Sequence, residues 1–329
     1  MGAVRQARIK IPAVEGEAVY HCMSRTVNGE WLFDTVVREV LRRQLWQVAD
    51  YCGVQVLTYT VLSDHFHVMV RVPREQPVSD AELLRRYGVL YPKPTAYQTA
   101  RLEVVKAQLA ENGPEALVWR QRQLRLMGDV SQYMKLVKQR LSIWYNKAHG
   151  RFGTLWAERF KSILVGPGAL LPMVAYVDLN CVRAGMVEDP KDYRFCGYAE
   201  AVAGNPVAQE ALRWVLGGRQ WADTQAGYRQ MLFGKGGSPR DAAANISQGE
   251  VRRVLDEGGK LPLAAILRCR IRYFSDGAVL GTKAFVEEQL GAYRKRTGRR
   301  EGIGPHPLPD CTDWGDLVAM RGLRRPAIG

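Results

Sequence analysis

The sequence has no CxxC pair, no long apolar run and few histidines. Its six cysteines, at 22, 52, 181, 196, 269 and 311, are scattered along the chain. That excludes a zinc knuckle built on paired cysteines and gives no disulfide framework. They read as free thiols of a reducing cytosol. No stretch approaches the ~18 uninterrupted apolar residues of a spanning helix. The first residues, MGAVRQARIKIPAVEGEAVYH, lack the apolar centre of a secretory signal, and Gln6 stands where an N-myristoylation signal carries Ser or Thr. A cytoplasmic protein without a membrane partner is the expectation. Acidic residues are also short, 33 Asp and Glu against 47 Lys and Arg, for a formal net charge of +14 and a pI of about 9.6. This balance favours a polyanion, nucleic acid ahead of an anionic membrane. Hydrophobic residues make up 47% of the 329, enough for a buried core, which excludes a disordered chain.

Periodicity orders the first part of the chain as β-α-β-β. Residues 18–25 are strand-like, and Asn28-Gly29-Glu30 is a turn. Asp34 can cap a helix over 34–49 that Gly53 terminates. Residues 54–62 form a β-branched run, Ser63-Asp64 turns it, and 65–72 form a second strand closed by Pro73. Residues 74–128 are polar and helical and read as an insertion. A basic amphipathic helix follows over 129–149, then a partly strand-like stretch over 154–164 and a helix over 170–182. The first domain is taken as 1–202. Residues 203–249, rich in Gly, Ala, Gln and Ser, suggest a loosely packed connection. Residues 250–329 read as a basic helical accessory domain with a mobile tail, and its three short helices have a weak helix-turn-helix-like pattern.

Two of the five histidines lie in the run VLSDHFHVMV. In a strand, residues i and i+2 share a face, so His65 and His67 project together while Phe66 and Val68 pack on the other side. Two imidazoles converging on one surface can begin a metal site. Further on, Tyr176 and Asn180 stand one helical turn apart and share a face. An amide oxygen could complete a metal shell, and a phenol could attack what the metal holds. Taken singly, each has a plainer reading: a structural histidine pair, a core tyrosine, a helix-terminal asparagine.

The HFH strand, the stretch GTLWAERFKS and the block YVDLNCVRAGMVEDPKDYRF together resemble the single-tyrosine HUH transposases, IS200-like, of the REP-associated tyrosine transposase type. The resemblance spans roughly residues 10–200. Cys181 departs from the family's usual proline, and the long insertion is a second departure. The resemblance implies an α+β fold, an antiparallel sheet covered by helices on one face in the ferredoxin-like or RRM-like manner, to which the small helical C-terminal unit is added. It implies that His65, His67 and Asn180 bind a divalent metal, Mg²⁺ or Mn²⁺. It implies that Tyr176 attacks single-stranded DNA, leaving a 5′-phosphotyrosine and a free 3′-OH that allow strand transfer without ATP. The partner it implies is a single-stranded DNA hairpin, REP-like, in a nucleoid-associated setting. A homodimer is a further partner it allows, because relatives include dimers and monomers, and it leaves open which protomer's metal Tyr176 serves.

The chemistry is consistent. A phenol with a pKa near 10 needs help at neutral pH. Two imidazoles and an amide leave open positions for phosphate and water, and a Lewis acid supplies several kcal/mol to phosphoryl transfer. Arg25, Arg159, Lys161 and Arg183 are candidates for holding DNA phosphates, with a solvated face as the alternative. Trp144, Trp156 and Phe160 could stack on bases, although buried core is the simpler reading. His21 lies too far from the pair in sequence to be read as a ligand. Two rivals stand beside the transposase reading. One is a catalytically inactive hairpin-binding relative. The other is a metal-dependent nuclease or hydrolase using water, which needs a carboxylate near the pair; Asp64 is adjacent but is expected on the opposite face.

Overall fold

A computed structural model describes residues 8–298 and 304–320. The first half is built as β1 (Ala18–Arg25), α1 (Thr35–Cys52), β2 (Gln55–Val61), β3 (His65–Val72), three helices α2 (Asp80–Leu90), α3 (Ala96–Glu111) and α4 (Pro114–Leu124), then α5 (Val130–Ala148), β4 (Lys161–Val165) and α6 (Leu170–Asp178). The local signals act as capping chemistry requires. The Asp34 carboxylate accepts from the Val37 amide at 2.8 Å to start α1. Gly53, at φ 65°, ends it in the left-handed conformation. Asp129 caps α5 through the Ser131 and Gln132 amides.

β2, β3, β1 and β4 lie side by side in that order, each antiparallel to its neighbour. This is the α+β, split-βαβ arrangement. The pleat puts Phe66 and Tyr59 on one face, where Trp156 and Trp46 pack edge-on against them and α1 and α5 cover the sheet. His65, His67, Thr58 and Thr60 face the other way. That face is covered too. Thr60 Oγ1 donates to the Val177 carbonyl of α6 at 2.7 Å, and Thr58 bonds the Asp178 carboxylate. The helices therefore cover both faces of the sheet rather than one, because α6 and its neighbours are apolar enough to bury against the second face.

The insertion forms its own small cluster around Val105, Leu109 and Ala116. It is tied to α1 by Arg85–Asp50 at 2.6 Å and by Tyr51 donating to Gln123 at 2.9 Å.

The second half differs from its sequence reading. Residues 203–249 are not loosely packed. They include helices Pro206–Leu216 and Trp221–Phe233, whose Tyr228, Leu232 and Phe233 are wholly buried. Their aromatic and apolar residues recur at helical spacing beneath a Gly- and Ala-rich composition. Residues 250–320 are not only helical. They supply β5 (Val279–Thr282), β6 (Pro305–Pro307) and β7 (Leu317–Met320), which extend the sheet to seven strands in the order β2-β3-β1-β4-β5-β7-β6. β5 lies parallel to β4, and the Gly166 amide donates to Leu280 at 2.7 Å. Helices Leu263–Leu267 and Tyr273–Asp276 are too short for a helix-turn-helix. Of the tail read as mobile, 304–320 contains two of these strands, and 299–303 and 321–329 lie outside the described residues. No helix among the described residues is long and apolar enough to cross a membrane.

Gly197 seats its helix directly on β2. A Cβ there would lie 2.9 Å from both the Thr58 Cα and the Tyr59 amide nitrogen. Backbone cannot yield as a flexible side chain can. Gly197→Ala is expected to lower stability by about 1–3 kcal/mol, read as a lower urea midpoint; an unchanged midpoint would contradict this packing.

Candidate active site

The sheet register fixes which side chains meet. On the α6-facing side, Arg25 stands opposite His65, Met23 opposite His67, and His21 opposite Met69. The strand alternation thus gathers His21, His65 and His67 on one surface. The rings of His65 and His67 have centroids 5.2 Å apart at 73°. Those of His21 and His67 stack at 5.1 Å.

Above them, α6 is held by its last residue. Asp178 is fully enclosed and takes hydrogen bonds from Thr58 of β2, Tyr228 of helix Trp221–Phe233 and the Cys196 thiol. Burial pushes its carboxyl up to about 6, against the pull of those donors. The sequence reading of one helix over 170–182 is corrected: α6 ends at Asp178, and a separate single-turn helix, Asn180–Arg183, follows. Tyr176 and Asn180 still meet, because the Asn180 amide donates to the carbonyls of Tyr176 at 3.2 Å and Val177 at 3.0 Å. Carbonyls only accept, so the NH₂ must face them, and Oδ1 is turned away. The Tyr176 ring lies between the Arg183 guanidinium, 3.8 Å from its centroid, and the edge of Phe274 at 5.1 Å.

His65, His67, Tyr176 and Asn180 line a single cleft of about 480 Å³. Arg25, Arg159, Lys161 and Arg183 line it as well. Their situations differ. Arg25 is half-exposed and 3.6 Å from Asp64. Lys161 is half-exposed, 3.5 Å from both Glu158 and Asp276. Arg183 is engaged inside the protein, donating to the Leu267 and Tyr176 carbonyls at 2.6 Å each. A neighbouring groove shares Arg159 and Lys161 and continues past Arg8. Trp156 and Phe160 are buried, and Trp144 packs against the core. Trp31 and Phe152 face outward instead, as does Tyr97 of the insertion; the first two lie on loops joined by Arg151–Glu30 at 3.9 Å.

Asp64 corrects an expectation. Its carboxylate is not on the opposite face but accepts from His65 Nδ1. It sits in the turn before the strand, where alternation does not yet dictate direction. Burial works to raise its pKa, but the His65 hydrogen bond and Arg25 outweigh it and hold the carboxyl below its ordinary range. His67 is held well below the usual histidine range by burial and by the surrounding cationic groups, so it is neutral. His21, wholly buried, is pushed down to about 3. Nδ1 of His65 lies against the Asp64 carboxylate, and Nδ1 of His67 lies 2.9 Å from His21 Nε2. Among the described residues no three His, Cys, Asp or Glu side chains form a metal cluster. An ion held here would need the Asn180 amide oxygen, the atom not turned to the Tyr176 and Val177 carbonyls, as its third protein donor.

Sequence reasoning missed His21, Arg270, Ser275 and Asp276, which adjoin or line this cleft. His21 carried one usable signal, a place on a strand that the β-α-β-β order sets beside the histidine strand. The others come from the C-terminal segment, whose return to the sheet no local pattern announced.

Residues 16–82 match the family described as "Transposase IS200 like". They span β1 to the start of α2 and include both cleft histidines but not Tyr176 or Asn180. No curated protein matches the chain. A solved structure described as "Structure of the REP associates tyrosine transposase bound to a REP hairpin" aligns at 16% identity and a TM-score of 0.35, covering 63% of this chain and 90% of that one.

Proposed function

We propose that this chain cleaves and rejoins single-stranded DNA through Tyr176, with His65, His67 and Asn180 holding a divalent metal. The observation that carries the reading is the meeting of these four side chains, from two distant parts of the sequence, in one cleft edged by basic residues. The family match over 16–82 supports it from the histidine side. The substrate is a DNA strand presented as a hairpin, its phosphates met by Arg25, Arg159 and Lys161.

A bound Mg²⁺ or Mn²⁺ would supply Lewis-acid neutralisation of charge at the scissile phosphate. The chain's residues do the rest. Asp64 orients His65. Arg183 and Phe274 hold the tyrosine ring over the cleft. The Tyr176 oxygen, losing its proton, bonds to phosphorus, and the bond from phosphorus to the 3′-oxygen breaks. That oxygen leaves as a 3′-OH, taking up a proton, and the DNA 5′-phosphate stays on the tyrosine. Attack by another 3′-OH reverses the step and joins strands, with the phosphodiester energy conserved. Incubating the full chain with labelled hairpins and Mn²⁺ should give a covalent protein–DNA band on a denaturing gel. Cleaved DNA with no such band would instead indicate hydrolysis, and intact bound DNA an inactive relative.

The hydrolase rival has gained one feature, because the Asp64 carboxylate does reach the site. Its oxygens, however, serve His65 and Arg25. Asp64→Asn is therefore expected to weaken Mn²⁺ binding by about tenfold, the low end of what loss of an outer partner of a ligating histidine does, and to leave adduct formation detectable at saturating metal. Calorimetry paired with the gel separates the two readings. Complete loss of cleavage with Mn²⁺ affinity intact would favour Asp64 as a water-activating base.

A further inference from the structure

The ring of His21 lies entirely inside the protein. Its Nδ1 is 2.9 Å from the Phe274 carbonyl oxygen, and its Nε2 is 2.9 Å from His67 Nδ1. A carbonyl cannot donate, so the His21 proton must sit on Nδ1. A fully enclosed ring with no carboxylate among its partners is neutral, because an unpaired buried charge is costly. His21 Nε2 therefore carries a lone pair and can only accept. The proton between the two rings belongs to His67 Nδ1, and His67 Nε2 is left bare toward the cleft.

From this chain of donors we infer that His21 is a positioning residue that locks His67 in the tautomer able to ligate a metal, with the Phe274 carbonyl of the C-terminal segment setting the direction of the relay. The inference rests on the reading of His67 as a ligand. It assigns work that the two cleft histidines cannot do alone. A free imidazole favours the proton on Nε2, which would block the nitrogen that faces the cleft. His65 is directed by an acidic partner, Asp64. His67 lies deeper, where a carboxylate would be costly to bury, and a neutral histidine anchored on a backbone carbonyl serves the same end. The direction originates in Phe274, on helix Tyr273–Asp276, so the second half of the chain takes part in setting the donor atoms of the first.

The test uses the full-length chain with ¹⁵N-labelled histidine, without metal, and compares wild type with His21→Gln and His21→Phe. A Gln amide can donate to the Phe274 carbonyl and accept from His67 Nδ1, so it can keep the relay. Phe keeps the bulk and loses it. Wild type and the Gln variant should show His67 protonated at Nδ1, and the Phe variant should not. Mn²⁺ affinity by calorimetry should stay within about threefold for Gln and fall about 10–100-fold for Phe, the range for loss of an outer-shell partner. A wild-type His67 protonated at Nε2, or equal Mn²⁺ affinity in all three proteins, would overturn the inference. If the Phe variant fails to fold, the wild-type tautomer and the Gln variant decide. Absence of Mn²⁺ binding by wild type would strike the metal reading itself, whereas Mn²⁺ binding with the wrong tautomer would strike only the role of His21.

Discussion

Tyr176→Phe is expected to form no covalent adduct with a DNA hairpin while binding it about as well as wild type. The ring is buried, clasped between the Arg183 guanidinium at 3.8 Å and the Phe274 edge at 5.1 Å. Both contacts are made by the ring, and phenylalanine keeps them. Removing the oxygen leaves the packing in place and deletes the atom that would bond to phosphorus. A loss confined to chemistry should therefore show as an absent adduct band at every metal concentration, with hairpin affinity changed by no more than about threefold, the signature of an interaction made only in the reacting state. Thermal unfolding of the variant should match wild type and exclude a folding defect. An adduct formed at the wild-type rate would remove Tyr176 from the reaction. Hairpin binding lost along with the adduct would make the hydroxyl a binding group rather than a nucleophile.

The sequence announced those parts of the fold that local chemistry determines. Asp34 and Gly53 punctuate α1 because a cap and a left-handed residue act within one helical turn. The alternation from His65 to Val72 put both imidazoles on one face because the strand period is fixed by the backbone. What stayed hidden depends on strand register, on turns or on long-range pairing. Whether His21 points with the pair is decided by its pairing opposite Met69, and a one-residue slip would have turned it to the other face. Asp64 belongs to a turn, where direction is set by the Arg25 and His65 groups around it. β5 is four residues long and contains a glycine, too little for a periodicity signal, and its partner β4 lies 115 residues earlier, from Val165 to its opposite number Leu280. Residues 203–249 looked loose by composition, yet one buried tyrosine, Tyr228, reaches Asp178 and so helps hold the helix that carries Tyr176.

The same pairing reverses an expectation about the C-terminal segment. Were residues 250–329 an accessory unit, their removal would leave a folded metal-binding core. The segment's packing argues for the opposite, and a chain truncated after residue 249 is expected to be insoluble or unfolded. Ile266, Leu267, Phe274, Val279 and Leu280 are each fully buried, and each such side chain contributes roughly 1.5–3 kcal/mol. Their loss alone is comparable with the ~5–15 kcal/mol that holds a domain folded. Truncation would also strip β4 of its parallel neighbour and leave it as an unprotected edge, open to pairing between molecules. Inside the cleft, Arg183 would lose the Leu267 carbonyl and His21 the Phe274 carbonyl, leaving buried donors without partners at about 1–3 kcal/mol each. These losses fall beside Tyr176 and His67, so a truncated chain that did fold should still have a disturbed site. Soluble yield, size-exclusion chromatography and circular dichroism of the truncated and full chains decide the matter. A soluble, monomeric truncated chain with a cooperative melt and undiminished Mn²⁺ binding would make the segment a true accessory and detach it from the site.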